Sequence, residues 1–355
     1  ASLYPSSIIE KNLSHETFVG TEEDIQNNPD LLKVIEDNGG IDNFWAIEYD
    51  DYVYEKKGKT THKQKANTKT KCYFLKNKRT EDDKIIKESM AIIPQVLQTF
   101  LDARKSTRIK IKQTTDENKK KVLDGFQLAY KVTANSVYGQ MGAKTSPVFF
   151  KKIAACTTAI GRERIDDASI GVKMWAKENG YYEPDIVYGD TDSVFVKFSR
   201  KDKDTGKILE GKEALRYCID CGVKAGEWVT ENMLYNPQDL EYEKTFYPFI
   251  LISKKRYTGD KYELDHEKPK ERTSMGIVMK RRDNAPICKF VFGNVIEIIM
   301  NKRSVDLAIE WLADTLKKIK NGDMDKSMFV ISKSLRGYYK NPEGIAHKGI
   351  ADRMA

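Results

Sequence analysis

Residues 185–198 read DIVYGDTDSVFVKF. β-Branched and aromatic residues stand on both sides of a Gly189-Asp190-Thr191-Asp192 centre, the pattern of a β-hairpin closed by a tight turn. Asp190 and Asp192 sit two apart on that turn, between strands expected to be buried. Carboxylates in such a place are costly unless a cation compensates them. Hard divalent cations, Mg2+ above all, take carboxylate oxygens together with substrate phosphates. Taken alone, the stretch reads equally well as a surface turn rich in Asp and Gly. Its surroundings decide.

Upstream, residues 83–112 carry Ile85, Ile86, Met90, Ile93, Val96, Leu97, Phe100 and Leu101 at three- and four-residue spacing, which predicts a helix. A polar turn at 113–117 leads into a second helical stretch, 118–139, so the two form an antiparallel αα-hairpin. On the second helix Lys131, Asn135 and Tyr138 share a face, with Gln127 one turn earlier and Gly139 beside it. Its other side, Val122, Leu123, Phe126, Ala129 and Val132, is expected to pack. Arg104 and Arg108 share a face of the first helix. With Lys131 they make three cations on facing helices, a natural clamp for a triphosphate. Lys and Arg alone are read more simply as a solvated basic face. Asn135, Tyr138 and Gly139 at that spacing are not explained by one.

Further out, 44–54 and 71–75 read as strands of a hairpin with a long basic loop between them. A helix is predicted over 150–179, stopped by Gly180, and a strand over 246–258. Ser253-Lys254-Lys255-Arg256-Tyr257 at that strand's end suits phosphate contact plus packing on a sugar or base edge, and suits a plain basic strand terminus as well. From 286 the chain is mostly helical. Ser304 should cap a helix with Val305, Leu312, Leu316 and Ile319 on one face and Gly322 past its end. A last helix is expected from Pro342. The opening ASLYPSSII reads as a strand and turn, structural when taken alone, and the chain is expected to be a piece of a longer protein. Cys218 and Cys221 read as two buried helix cysteines, because no second Cys or His pair lies at zinc spacing.

Composition bounds the function classes. The chain has 355 residues, 40% hydrophobic, with 18 Tyr, 14 Phe and 4 Trp, too many large apolar groups for a disordered chain. This length suggests two or three domains. No run approaches the ~18 apolar residues of a membrane-spanning helix, so no membrane partner is expected. Five cysteines are too sparse for a disulfide framework and no secretory signal is present, which favours an intracellular, reducing compartment. Nine Lys and one Arg fall within residues 55–79 against the single acid Glu55, so the rest of a chain that totals +8 is close to neutral. The basic run is most simply a solvated loop. Any polyanion partner must therefore be argued from individual sites.

SLYPSSII, ARKSTR, KVTANSVYG, YGDTDS and KKRY, in this order, resemble the polymerase module of the family B (DNA polymerase alpha-like) DNA polymerases. The likeness runs from the first residue through Lys280-Arg281-Arg282-Asp283, and the texture is most similar to enzymes of large double-stranded DNA viruses. The resemblance implies a multidomain α+β fold shaped as a right hand and cut at both ends. Residues 1–82 and 143–279 would form an antiparallel-sheet palm, 83–142 two-helix fingers, and 280–355 the start of a helical thumb. It implies DNA-directed DNA polymerase activity, in which deoxynucleoside triphosphates are added to the 3′-hydroxyl of primer–template DNA with two Mg2+ ions.

By the same resemblance Asp192 would ligate both metals, with Asp190 as a supporting carboxylate. Ser2, Leu3 and Tyr4 would line the triphosphate and sugar pocket, Tyr4 under the deoxyribose. Arg104, Arg108 and Lys131 would grip the triphosphate, and Asn135 and Tyr138 would shape the nascent base pair. Tyr188, Gly139, Lys254, Lys255, Arg256 and Tyr257 would touch the DNA. In the family motif an Asp stands two residues before the Ala of ASLYPS, and this chain begins at that Ala. A non-catalytic primer–template binding fragment is therefore the second reading. Host nucleus and cytoplasmic replication site are not distinguished by the sequence, and no residue points to a processivity factor.

Overall fold

The opening segment is a helix rather than a strand and turn: α1 spans Leu3–Glu10. Pro5 lies within its first turn, where a missing N–H costs nothing, and the Ser6 N–H donates to the Ser2 carbonyl at 2.9 Å. The computed structural model describes residues 2–57, 60–280 and 284–354. Ala1 and the Arg281-Arg282-Asp283 end of the expected likeness lie outside the described residues. The chain divides into two units, residues 1–210 with 220–242, and residues 211–219 with 243–355.

In the first unit α1 is followed by β1 (Phe18–Thr21), α2 (Glu22–Asn27), α3 (Pro29–Asp37), β2 (Phe44–Lys57) and β3 (Thr60–Leu75). These strands form an antiparallel sheet in the order β1-β3-β2. The β2–β3 ladder runs from Phe44 opposite Leu75 out to Lys57 opposite Thr60, so most of the expected loop is a paired ribbon. Cross-strand partners explain it. Lys65 pairs with Asp50 at 2.9 Å, Lys69 with Glu48 at 2.5 Å, and the Lys63 ammonium lies 3.8 Å from the Tyr52 ring centroid. Much of the basic run is thus met by acids and rings of the opposite strand.

Three long helices follow: α4 (Ile92–Gln113), α5 (Glu117–Gly142) and α6 (Lys151–Glu178). Helix α4 begins later than the expected residue 83, because Pro94 is tolerated only in a first turn. Ile85, Ile86 and Met90 precede it. The αα-hairpin itself is present, with Asp116 capping α5 through the N–H groups of Asn118 and Lys119. The side of α5 expected to pack is open: Val122, Phe126 and Val132 are 60%, 54% and 59% exposed. Its covered residues are Ala134 and Met141, both in its second half, where it joins a core of Ile8, Ile9, Phe74, Leu97, Ile153 and Ile160. The hairpin β4 (Asp185–Asp190) and β5 (Ser193–Lys197) is formed as expected, although its strands are half-buried to exposed rather than buried. Helix α7 (Gly211–Met233), of which residues 211–219 belong to the second unit, carries Cys218, half-buried, and Cys221, buried.

The second unit has β6 (Thr245–Ser253), β7 (Arg256–Tyr262) and β8 (Glu271–Met275) in one antiparallel sheet, in that order. The expected single strand over 246–258 is instead a hairpin turning at Lys254-Lys255, with Lys255 at φ +60°. Gly276 is required beneath that turn, since a Cβ there would stand 2.1 Å from the Lys255 carbonyl oxygen. Helices α8 (Pro286–Lys302), α9 (Val305–Asn321) and α10 (Ala346–Met354) complete it. Ser304 and Gly322 cap α9 as the sequence predicts. Its expected apolar face is only partly used. Val305 and Leu316 are 61% and 53% exposed, and Ala308 and Thr315 are the covered positions. Pro342 starts a single 3-10 turn, with α10 following it.

Candidate active site

Asp190 pairs with Ser193 across the β4–β5 hairpin, which leaves Thr191 and Asp192 as a two-residue loop. Thr191 holds φ +53°, a left-handed conformation that a β-branched residue adopts only under constraint. The constraint is visible. The Asp192 N–H donates to the Asp190 carbonyl at 2.5 Å, and the Ser193 hydroxyl donates to the same oxygen at 3.2 Å. The Thr191 hydroxyl also donates to the Asp190 carboxylate at 3.2 Å. The loop places exposed Asp192 at the rim of a cavity of about 50 Å3, shared with Ser2, Leu3, Ser6, Arg164, Gln238 and Asp239. Asp190 is half-buried behind it.

The start of α1 is tied to the two long helices. Arg104 donates from Nη1 to the Ser2 hydroxyl at 3.3 Å and from Nε to the Gln127 side-chain oxygen at 3.5 Å. The expected facing of α4 and α5 through Arg104 and the Gln127 row is therefore present. Burial, and then the nearby Arg108, pull the Arg104 guanidinium below its usual pKa. An anion arriving here would offset the repulsion between the two guanidinium groups. The Tyr4 ring lies 4.4 Å from the Tyr138 ring, and both Leu3 and Tyr4 pack over Gly161 of α6. Lys131 and Asn135 are half-buried on the same stretch of α5, while Arg108 and Gly139 are exposed. Tyr188 packs across its hairpin on Phe195 at 5.2 Å.

Within the second unit, Lys254, Lys255 and Arg256 are exposed on the β6–β7 turn. Tyr257 is only 9% exposed, its ring 5.9 Å from Phe246 and 5.7 Å from Phe249. Its ring is committed to the sheet, so any packing on a sugar or base would have to come from elsewhere.

Sequence reasoning missed Arg164, Gln238 and Asp239, which line the cavity, and Glu10, which lies against the first two. Glu10 and Arg164 form a buried ion pair at 2.8 Å, with Gln238 beside them. Asp239 remains exposed, yet neighbouring protein atoms displace enough water from its carboxyl to push it above the usual aspartate range, with the nearby Glu241 adding to the shift. A charge directly after the apolar pair Ile8-Ile9 was the available signal for Glu10; Gln238 and Asp239 carried none. Among the described residues no set of three His, Cys, Asp or Glu converges as a closed metal site. The donors at Asp190 and Asp192 are hard oxygens at an open rim. They fit a cation that completes its shell with water and substrate phosphates.

The description of DNA polymerase family B matches residues 1–355. The chain is 40% identical to a DNA polymerase of Pyramimonas orientalis virus over all of its length, covering 30% of that relative. It is 36% identical to the DNA polymerase delta catalytic subunit of Candida albicans, over 74% of this chain and 24% of that subunit. A DNA polymerase of Acanthamoeba polyphaga mimivirus is 44% identical over 48% of this chain, which is 10% of the viral protein. The chain thus spans less than a third of these relatives.

Proposed function

Because the chain belongs to DNA polymerase family B, we propose that the protein containing it is a DNA-directed DNA polymerase, adding deoxynucleotides to a primer under direction of a template. The two viral relatives support a role in replicating a viral genome. The observation that carries the reading is that Ser2 and Asp192 line one cavity while Arg104 hydrogen-bonds to Ser2, with Tyr4, on the same turn as Ser2, ring to ring with Tyr138. These residues come from α1, the β4–β5 hairpin and the two long helices.

In this reading residues 1–82 and 143–279 act as the palm, the α4–α5 pair at 83–142 as the fingers, and 280–355 as the start of the thumb. Asp192, supported by Asp190, would hold Mg2+, which when bound would offset triphosphate charge and ease loss of the primer hydroxyl proton. Ser2 and Leu3 receive the triphosphate from one side. Arg104, Arg108 and Lys131 grip it from the other by charge-assisted hydrogen bonds. Tyr4 lies against the sugar, and Asn135 and Tyr138 bound the space for the base pair. Lys254, Lys255 and Arg256, with Tyr188 and Gly139, contact DNA by its backbone, which suits a template free to vary in sequence. Tyr257 shapes the β6–β7 turn that carries the cations.

Primer extension by the full-length protein tests this. Incorporation should follow the template base, with Mg2+ required. Equal incorporation of all four deoxynucleotides, or activity without template, would contradict it.

A further inference from the structure

The cavity has a polar floor that the roles above leave unused. Glu10, the last residue of α1, is fully buried. Its Oε1 accepts from Arg164 Nη2 at 2.8 Å and its Oε2 from Arg164 Nε at 3.3 Å. Lys11 Nζ stands 3.0 Å from Oε1, and Arg164 also pairs with Asp167. Gln238, 8% exposed, completes the set. Its Nε2 donates to Glu10 Oε2 and to Ser7 Oγ, both at 3.1 Å. The Ser7 hydroxyl in turn donates to the Leu3 carbonyl at 2.7 Å. An unbroken chain of hydrogen bonds thus runs from the buried ion pair to the turn that bears Ser2, Leu3 and Tyr4.

Stability alone is a poor reason for this arrangement. A buried ion pair gives up most of its attraction to desolvation, and apolar side chains of similar volume commonly do as well. Hydrogen bonds differ from apolar contacts in being directional. They fix the axial position and rotation of α1, which sliding apolar contact leaves looser. Gln238 and Arg164 also line the same cavity as Ser2 and Asp192, so a shift at the floor is felt at the rim.

Resting on the polymerase reading, we propose that Gln238 is a positioning residue for the incoming nucleotide. Acting through Ser7, it holds the first turn of α1, and with it Ser2 and Tyr4, at the spacing from Asp192 that the triphosphate and sugar require. Gln238 itself touches no substrate.

The test is single-nucleotide incorporation by the full-length protein carrying Gln238→Met, Ser7→Ala, or both. Each single change should raise the apparent KM for the complementary deoxynucleotide about tenfold, with kcat within about threefold. Primer–template affinity should stay at the wild-type value, and the KM effect should be unrelated in size to whatever fall in Tm the lost buried hydrogen bonds cause. The double variant should be no worse than the worse single one, since both cut the same chain. Unchanged KM, KM effects that multiply, or a KM effect that tracks a fall in Tm would each overturn the proposal. If Gln238→Met does not fold, Ser7→Ala decides alone: a raised KM supports the proposal and an unchanged one overturns it. Asp192→Ala in the same assay separates the layers. Retained activity there indicts the polymerase reading. A dead Asp192→Ala beside a wild-type KM in Gln238→Met indicts the positioning role only.

Discussion

The Tyr4 ring lies 4.4 Å from the Tyr138 ring, inclined by 33°, so the first turn of α1 meets α5 through two aromatic faces. On its other flank Tyr4 is held by the absence of a side chain: a Cβ at Gly161 would stand 3.2 Å from Tyr4 Cε1. The ring is clamped rather than free to swing, which is what a steric gate needs. If it fills the volume of a ribose 2′-hydroxyl, Tyr4→Ala should raise ribonucleotide use far more than it lowers deoxynucleotide use. Tyr4→Phe keeps the ring and should leave selectivity nearly intact. The ratio of kcat/KM for a deoxynucleotide over its ribonucleotide measures this, and an unchanged ratio in Tyr4→Ala would place the gate elsewhere.

Lys131 is expected to serve the nucleotide rather than the DNA. An ammonium on a triphosphate is a charge-assisted contact of about 1.5–3 kcal/mol. Lys131→Ala should therefore weaken apparent nucleotide affinity and slow incorporation by roughly ten- to a hundredfold, while primer–template affinity barely moves. Loss of DNA binding instead would assign Lys131 to the template track.

Asp239 gives a pH signature. Its folded-state pKa is raised above 3.8 by lost hydration and by Glu241. A raised carboxyl favours folding fully below pH about 3.8, and that contribution is lost as pH rises through the folded-state value. Above that range the ionised group opposes folding, weakly because solvent screens an exposed carboxylate, and Asp239→Asn should raise Tm slightly at neutral pH. The gain should shrink toward zero as pH approaches the acid limit. A gain that is constant across pH would show that charge is not its source.

How much of this was legible in the sequence depends on range. The Asp190–Asp192 turn, the αα-hairpin and the Ser304 and Gly322 caps follow from spacing within a few residues, and the structure has them. Pro94 is equally local, and it sets the start of α4 at Ile92, later than the apolar spacing alone predicts. The β2–β3 ribbon was missed because a Lys-rich stretch reads as loop until its partners across the ladder, Glu48 and Asp50, are known. Tyr257 was read with its cationic neighbours, although a strand alternates faces and turns its ring into Phe246 and Phe249. That Ser2 meets both Arg104 and the cavity of Asp192 has no local signal at all; only the likeness to a family brought those positions together. The Glu10–Arg164 pair, 154 residues apart, had neither.

The most direct measurement is Asp192→Ala in the full-length protein, assayed for nucleotide incorporation and for primer–template binding side by side. In the proposed reading DNA phosphates would be held by cations remote in sequence from the hairpin, whereas the carboxylate would serve the reacting triphosphate. Incorporation should disappear while primer–template affinity stays within a few-fold of wild type. Incorporation within about tenfold of wild type, a change of no more than about 1.4 kcal/mol in the barrier, would contradict it.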